Sequence, residues 1–267
     1  MSNAPSYFIS HGSPMFAIEP GRLGPLLSER GRQLRDVRAV LVVSPHWQTR
    51  GLRISAAPAP ETIHDFGGFP AALYQLQYRP PGQPEIAADA ARLLAQAGFD
   101  VSLDPARGLD HGAWVPLRHL LPKADVPVFQ VSLPIGFNAG DALRLGRALA
   151  PLRARGVAII GSGSMTHNLY EFRQTINDPE YAQRFTDWVR AAVAGRKLSA
   201  LVDYRQQAPQ ATRAHPTEEH FLPLFVAWGA AGGQALAERV VAGFEAGALA
   251  MDSYRFAPAR ISSPGKA

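Results

Sequence analysis

Apolar runs and amphipathic stretches alternate along the chain from Tyr7 to Gly161. The apolar runs are short and rich in Val, Ile and Leu, which is typical of strands covered on both faces of a sheet. We predict such strands at Tyr7–Ser10, Val40–Ser44, Leu52–Ala56, Val101–Leu103, Val126–Leu133 and Val157–Gly161. Apolar residues at helical spacing predict helices over Leu23–Leu34, Pro84–Ala97, Asp141–Ala154, Tyr181–Val193 and Glu218–Trp228. The order of these elements predicts an α/β fold with a central, mostly parallel, twisted sheet and flanking helices.

Two further strand patterns lie beyond the last predicted helix. They are Arg239–Phe244 and Ala250–Phe256, and the turn-like Glu245-Ala246-Gly247 between them predicts a closing hairpin. No internal repeat, low-complexity block or linker interrupts the sequence. We therefore expect residues 1–267 to form one domain.

The composition narrows the possible partners. Of the 267 residues, 46% are hydrophobic and 18% are charged, which favours a folded domain over a disordered chain. The net charge of +5 comes from arginines scattered singly along helical stretches, so a solvated basic surface is favoured over a nucleic-acid interface, with an anionic substrate as an alternative. No apolar run is long enough to span a membrane and no signal peptide is recognisable, so we expect a cytoplasmic protein that binds neither membranes nor nucleic acid.

Three of the eight histidines follow predicted strands. His11 comes directly after the first strand, His46 lies two residues after the second, and His167 follows Val157–Gly161 by a few residues. The carboxyl ends of parallel strands share one edge of a sheet, and ligands bind at that edge. Because the chain has no cysteine, a metal ion there would be held by imidazole and carboxylate groups, which suits iron, zinc, manganese or copper. The strand-end histidines therefore predict a metal site at the carboxyl edge of the sheet.

His215 and His220 flank a short acidic stretch before the last predicted helix. Thr217 is placed to cap that helix, which would put His220 in the first turn and direct it towards the sheet edge. His215 precedes a proline and fits loop scaffold better than a ligand. The pair is not spaced as His-Glu-x-x-His, so the helical zinc-protease motif is absent.

Asp110 precedes His111 and has two interpretations. Its carboxylate holds the histidine in one tautomer, or it caps a helix that starts near Trp114. His119, in the middle of that helix, is interpreted as structural or exposed. No serine-hydrolase elbow, Rossmann fingerprint or Walker lysine accompanies the strands, so serine hydrolases and nucleotide-dependent enzymes lose their main support.

A long loop, Glu61–Tyr78, lies between two proline-rich stretches and contains glycines and aromatic residues. Long loops without regular structure in a compact domain are usually functional. We predict that this loop covers a substrate; the alternative is a surface loop packed by its own aromatic side chains. Two equally favoured interpretations apply to the aromatic residues Phe69, Tyr74, Trp114 and Phe137: they bind an aromatic ligand, or they pack as ordinary core side chains.

Six short motifs occur in a recognisable order between residues 11 and 224. They are His11-Gly12-Ser13-Pro14, Ser44-Pro45-His46-Trp47, His64-Asp65-Phe66-Gly67-Gly68-Phe69-Pro70, Asp110-His111-Gly112-Ala113-Trp114, Thr166-His167-Asn168 and Glu219-His220-Phe221-Leu222-Pro223-Leu224. Taken together, they resemble the DOPA-type branch of the class III extradiol aromatic ring-cleavage dioxygenases. Each motif alone is weak, but six in register cover nearly the whole chain. The resemblance implies one catalytic domain that opens the ring of a catechol with O2 at a non-haem metal.

The resemblance also implies roles for the histidines. His11, His46 and His220 would be metal ligands, and His167 would be a fourth ligand or the acid–base residue. His111 would act on the substrate hydroxyl or the bound oxygen. Many class III enzymes use two histidines and one carboxylate; here His220, rather than Glu219 beside it, is expected in the third position.

The implied pocket and cofactor follow from the same resemblance. The substrate-binding residues would be His64, Phe69 and Trp114, and the partners a small aromatic diol and O2. Fe(II) is expected for activity, although a site of neutral imidazoles also accepts zinc. The sequence leaves open a homo-oligomer. It also leaves two alternative functions: a zinc hydrolase with His167 as base, and a non-catalytic binding protein on the same fold.

Overall fold

An eight-stranded sheet forms the centre of the fold. The computed structural model describes residues 3–173, 179–233, 235–245 and 247–257. The strands are β1 (Ser6–Ser10), β2 (Ala39–Thr49), β3 (Leu52–Ser55), β4 (Val101–Asp104), β5 (Val128–Pro134), β6 (Val157–Gly163), β7 (Leu236–Val240), β8 (Phe244–Glu245), β9 (Leu249–Ala250) and β10 (Ser253–Ala257). In the main sheet the order is β4-β3-β5-β2-β6-β1-β10-β7, while β8 and β9 pair separately. The predicted α/β architecture is confirmed.

Four neighbouring strands, β5, β2, β6 and β1, run parallel and form the buried middle of the sheet. Their apolar runs are covered on both faces, as the continuous hydrophobic pattern predicts. Strand β2 continues to Thr49, so His46 lies within a strand and not after one. The pairing of β2 with β5 shifts register between Val43 and Gln48, and this irregularity re-aims the side chains of that segment. The strand therefore continues through Pro45 and beyond its predicted end at Ser44.

The outer strands are partly antiparallel. At one side β3 runs antiparallel to β5, and at the other β10 runs antiparallel to β1 and β7. The predicted closing hairpin is therefore correct in outline, but it divides into the outer pair β7–β10 and the inner pair β8–β9. The division lies at Asp252, whose buried carboxylate accepts the N–H of Ala242 at 3.1 Å and pairs with Arg239. A carboxylate satisfied in this way ends the ladder between the two pairs.

Helices cover both faces of the sheet. They are α1 (Leu23–Gly31), α2 (Ala71–Tyr74), α3 (Pro84–Gln96), α4 (His111–Leu120), α5 (Ala139–Leu149), α6 (Pro151–Ala154), α7 (Leu169–Arg173), α8 (Pro179–Ala194), α9 (Leu198–Val202), α10 (Tyr204–Gln207), α11 (Ala211–Ala214) and α12 (Leu222–Ala231), with 3-10 turns at Pro14–Ala17 and Arg32–Leu34. The predicted helix over 141–154 divides at Pro151, which begins α6. The last helix begins at Leu222 and Thr217 does not cap it, because the threonine hydroxyl bonds Glu219 instead, at 2.9 Å. That part of the prediction is wrong, and His220 lies just before the helix.

Two hydrophobic cores lie on opposite faces of the sheet. Alternate residues of β2 divide between them: Leu41 and Val43 face helices α3, α5, α8 and α12, whereas Val40 and Val42 face α1 and α4. Helices α5 and α12 pack closely at Gly146, where an added Cβ would lie only 2.1 Å from the carbonyl oxygen of Val226. Within the described ranges, no helix is long and apolar enough to cross a bilayer.

Candidate metal centre

Five histidines surround one cavity of about 280 Å³ at the carboxyl edge of the parallel strands. They are His11, His46, His111, His167 and His220. The remaining wall of the cavity is formed by Gly12, Ser13, Pro14, Asp65, Phe66, Gly67, Phe69, Leu169 and Leu249. The structure thus brings together all four predicted metal ligands and both predicted catalytic residues, from elements far apart in the sequence.

His11 lies at the end of β1 and is almost completely buried. Its backbone N–H donates to the carbonyl of Gly163 at 2.9 Å, which extends the β1–β6 pairing by one residue. The ring is held from both sides: Nδ1 lies 3.1 Å from Ser162 Oγ, and Nε2 lies 3.2 Å from Nε2 of His46. His11 therefore presents Nε2 to the cavity.

His46 reaches the same point from the irregular segment of β2. Its backbone N–H donates to Ser44 Oγ at 3.2 Å, and its ring lies 3.9 Å, centroid to centroid, from that of His111. The other ring nitrogen, Nδ1, lies 3.8 Å from Asp65 Oδ2. Gly112 leaves room for this ring, because a Cβ there would lie 2.8 Å from His46 Cδ2.

His111 begins α4 and faces the carboxylate of Asp65. Its backbone N–H donates to Asp65 Oδ1 at 2.8 Å, and its Nδ1 lies 3.0 Å from Asp65 Oδ2. Of the two interpretations of Asp110, the cap is confirmed, since its side chain accepts the N–H of Ala113 at 3.2 Å. The carboxylate partner of His111 is Asp65, which sequence reasoning missed because the two residues lie far apart in the chain.

His167 and His220 complete the cavity and stack on each other. Their ring centroids are 3.4 Å apart with the planes inclined by 9°. Glu219 Oε1 lies 3.0 Å from Nδ1 of His220, and Nε2 of His220 is buried without a hydrogen-bond partner. A buried nitrogen without a partner costs free energy unless something else satisfies it, so this atom fits a metal ligand.

Burial keeps four of the cavity histidines neutral. Burial, followed by the charge of neighbouring histidines, lowers the pKa of His167 to about 4 and that of His46 to about 3. The same causes hold the pKa values of His11 and His220 well below the ordinary range. Burial would raise the pKa of Asp65, but its hydrogen bonds and proximity to His111 together with His46 hold that pKa below its usual value. The site combines neutral imidazoles with a charged carboxylate.

The donor atoms form two compact groups. One nitrogen each from His11, His46 and His111 lie within 4.8 Å of one another, and so do donor atoms of His167, Glu219 and His220. The predicted ligand set is divided between these groups, although the ring of His220 is centred only 5.6 Å from that of His11 and 5.0 Å from that of His46. Neutral imidazoles without thiolates suit a divalent transition metal, so the residues present fit the metal that the sequence predicts.

The predicted substrate-binding residues separate into two layers. Phe69 lines the cavity together with Phe66, which sequence reasoning did not single out. His64 and Trp114 are not among the residues that line it. Nε2 of His64 donates a hydrogen bond to the carbonyl oxygen of Leu76 at 2.9 Å. Trp114 is fully buried and donates its indole N–H to the carbonyl of Ile63 at 2.9 Å. These two side chains hold the loop that carries the aromatic wall and do not themselves line the cavity.

The histidines outside the cavity behave as structural groups. His215 is fully buried, and its Nε2 donates to the carbonyl of Met165 at 3.0 Å, which agrees with the loop-scaffold prediction. His119 is half-buried, and its Nε2 donates to the carbonyl of Phe16 at 2.7 Å. Leu249 comes to the cavity from β9, and no local sequence signal marks it.

Comparison with known proteins identifies the family. Residues 5–256 match the family described as the catalytic LigB subunit of aromatic ring-opening dioxygenase. The chain belongs to this family. It is 41% identical over 256 residues to the 4,5-DOPA dioxygenase extradiol of Beta vulgaris, covering 94% of this chain and 96% of the relative. A protein of the same name from Escherichia coli (strain K12) is 38% identical, with 92% of each chain covered.

A solved structure shows the same architecture. The crystal structure of an uncharacterized protein from Escherichia coli K12 matches with a TM-score of 0.78 and 32% identity, covering 94% of this chain and 99% of that one. The predicted resemblance is confirmed, and the protein is an extradiol ring-opening dioxygenase that acts with O2 on an aromatic substrate. The family implies a metal cofactor, which agrees with the histidine cluster. These similarities do not support the zinc-hydrolase and binding-protein alternatives.

Proposed function

We propose that this dioxygenase opens the ring of a catechol with a DOPA-like side chain and that it uses Fe(II). The observation that carries the proposal is the cavity in which five histidines face an aromatic wall of Phe66 and Phe69. The names of the relatives support the DOPA-like substrate. A planar catechol packs against aromatic side chains, while its two hydroxyl groups are directed towards the imidazoles.

His11, His46 and His220 are the proposed ligands. Glu219 lies against Nδ1 of His220, so its carboxylate accepts that N–H and leaves the unpartnered Nε2 free to bind the metal. A carboxylate that orients a metal-binding histidine in this way is common in metalloproteins. Glu219 therefore supports a ligand and is not one itself. Fe(II) supplies the redox chemistry that joins a catechol to O2, which zinc lacks.

His167 and His111 are the proposed acid–base residues. His167 is neutral at physiological pH and lines the cavity, so its free ring nitrogen accepts the proton of a catechol hydroxyl. His111 is the proposed residue that returns a proton to the substrate, and Asp65, whose Oδ2 lies 3.0 Å from Nδ1 of His111, orients its ring. Each lies beside a different proposed ligand: the ring of His111 is 3.9 Å from that of His46, and the ring of His167 is 3.4 Å from that of His220, centroid to centroid.

Oxygen uptake tests the proposal. Protein stripped of metal is reloaded anaerobically with Fe(II), mixed with DOPA or unsubstituted catechol, and exposed to O2. We expect one O2 consumed per DOPA, a new product absorbing in the visible range, and slower turnover of catechol. Zinc-loaded and metal-free samples are the controls and should take up no O2.

Two outcomes would contradict parts of the proposal. Fast turnover of catechol without turnover of DOPA would refute the DOPA-like substrate while leaving ring opening intact. Absence of O2 uptake, with iron bound and both substrates shown to bind, would refute Fe(II) as the metal. Repeating the assay with Mn(II) would then test another redox-active ion that the same donors accept.

A further inference from the structure

A serine hydroxyl connects the proposed ligand His11 to the backbone of α4. Ser162 is fully buried on β6, opposite Ile9 of β1. Its Oγ lies 3.1 Å from Nδ1 of His11 and donates a hydrogen bond to the carbonyl oxygen of Gly112. The hydroxyl therefore lies between a ring nitrogen and a carbonyl that belong to two different elements of the site.

These contacts allow only one assignment of donors and acceptors for a neutral His11. A carbonyl oxygen only accepts, so the single hydroxyl proton of Ser162 goes to Gly112. The serine oxygen must then accept a proton from His11, which places the N–H of the neutral imidazole on Nδ1. Nε2 of His11 consequently carries a lone pair, and this nitrogen is the one that faces His46.

We propose that Ser162 is a positioning residue that keeps His11 in the Nδ1–H tautomer, with Nε2 ready to bind a metal. This inference rests on the proposed ligand role of His11. A fixed tautomer raises metal affinity because the ligand does not have to move its proton before binding. Ser162 is not among the residues that line the cavity, and it acts through His11.

The neighbouring contacts agree with this assignment. Nε2 of His46 lies 3.2 Å from Nε2 of His11, and one of the two must donate in the metal-free protein. With the His11 proton on Nδ1, His46 is the donor. His46 would therefore have to move its proton from Nε2 to Nδ1, on the side of Asp65, before Nε2 could bind a metal, whereas His11 would not.

Gly112 makes the position of the accepting carbonyl possible. A Cβ on this residue would lie 2.3 Å from Ser44 Oγ and 2.8 Å from Cδ2 of His46. Only glycine lets the first turn of α4 approach β2 so closely. The carbonyl that accepts the hydrogen bond from Ser162 is therefore fixed in place by backbone packing.

Metal affinity measures the role of Ser162 without relying on turnover. Zn²⁺ is titrated into metal-free protein against a chromophoric chelator, for the wild type, Ser162→Ala and Ser162→Cys. We expect Kd to rise about 10–100-fold in Ser162→Ala and by a smaller factor in Ser162→Cys, whose thiol is a weaker acceptor. Ser164→Ala is the matched control, because Ser164 Oγ is buried nearby without a hydrogen-bond partner, and its Kd should stay within about twofold of the wild type.

The tautomer itself is read from the 15N NMR spectrum of the metal-free wild type, which requires no substitution. The expected spectrum places the His11 proton on Nδ1, assigned by the loss of its signals in His11→Ala. A proton on Nε2, or an unchanged Zn²⁺ affinity in both folded Ser162 variants, overturns the inference. Full Zn²⁺ retention by His11→Ala would instead refute the proposed ligand role of His11, so the two failures are distinguishable.

Discussion

The buried His215 should make folding sensitive to acid. It is fully buried, its Nε2 donates to the carbonyl of Met165, and its Nδ1 has no hydrogen-bond partner. Burial lowers the pKa of His215 to about 3, against 6.5 for an exposed histidine. The folded protein therefore keeps this side chain neutral at a pH at which the unfolded chain already binds a proton.

The sign and size of the effect follow from this difference. Above pH 6.5 His215 is neutral in both the folded and the unfolded protein, so it contributes no pH dependence to the stability. Between pH 6.5 and about 3 only the unfolded protein binds a proton at this residue, so the free energy of unfolding falls as the pH falls. The slope is about 1.4 kcal/mol per pH unit, which amounts to about 2 kcal/mol lost on going from pH 8 to pH 5. This loss is large compared with the whole stability of a typical domain, about 5–15 kcal/mol.

Urea unfolding of metal-free protein at pH 8, 6.5 and 5 tests the prediction. His215→Gln is the comparison, because a glutamine amide still donates to Met165 but does not titrate. The other buried histidines affect both proteins equally, so only the difference between them counts. We expect the wild type to lose about 2 kcal/mol more than His215→Gln between pH 8 and pH 5. Parallel curves for the two proteins would refute the assigned pKa and the reasoning built on it.

Three further outcomes are expected. His167→Ala should lower kcat about 100-fold or more while the Kd for DOPA changes little; a parallel loss of bound metal would point to a ligand role instead. Asp65→Asn keeps an acceptor for the backbone N–H but removes the charge beside His111, the proposed acid–base residue, so kcat should fall about 10–100-fold with unchanged Zn²⁺ content; an unaltered kcat would contradict the supporting role of Asp65. Gly146→Ala should lower the free energy of unfolding by about 1–3 kcal/mol, because its Cβ would meet a carbonyl of the facing helix at 2.1 Å. Gly67→Ala, which meets nothing within 4 Å, is the control in the same urea assay, and equal stability of the two variants would argue against the close approach.

Much of the fold was predictable from local pattern. Val40–Val43 and Val157–Ile160 are continuous apolar runs, and a strand covered on both faces requires such runs wherever it lies in the sheet. The helix over Pro84–Gln96 begins with proline and ends before glycine, so its bounds agree with the prediction to within one residue. The errors lie where a side chain's hydrogen bond decides where an element begins or ends. Thr217 bonds Glu219 instead of capping α12, and the Asp252 carboxylate accepts a backbone N–H and thereby divides the closing hairpin.

The residue types and order of the motifs were enough to predict a histidine cluster at the sheet edge, because the carboxyl ends of neighbouring parallel strands share that edge. They were also enough to recognise the family. The groups that support those histidines were not predictable. Asp65 lies 46 residues from His111, and Ser162 lies 151 residues from His11, so neither pair leaves a local pattern in the sequence.

Only the tertiary structure decided these partners. Strand register places Ser162 beside the end of β1, and the packing of α4 against β2 brings Gly112 and His111 to the same point. A hydrogen bond depends on positions within a few tenths of an ångström, whereas a hydrophobic pattern specifies only which face of an element is buried. The sequence by itself therefore determined which histidines meet at the sheet edge, and packing determined which groups lie beside them.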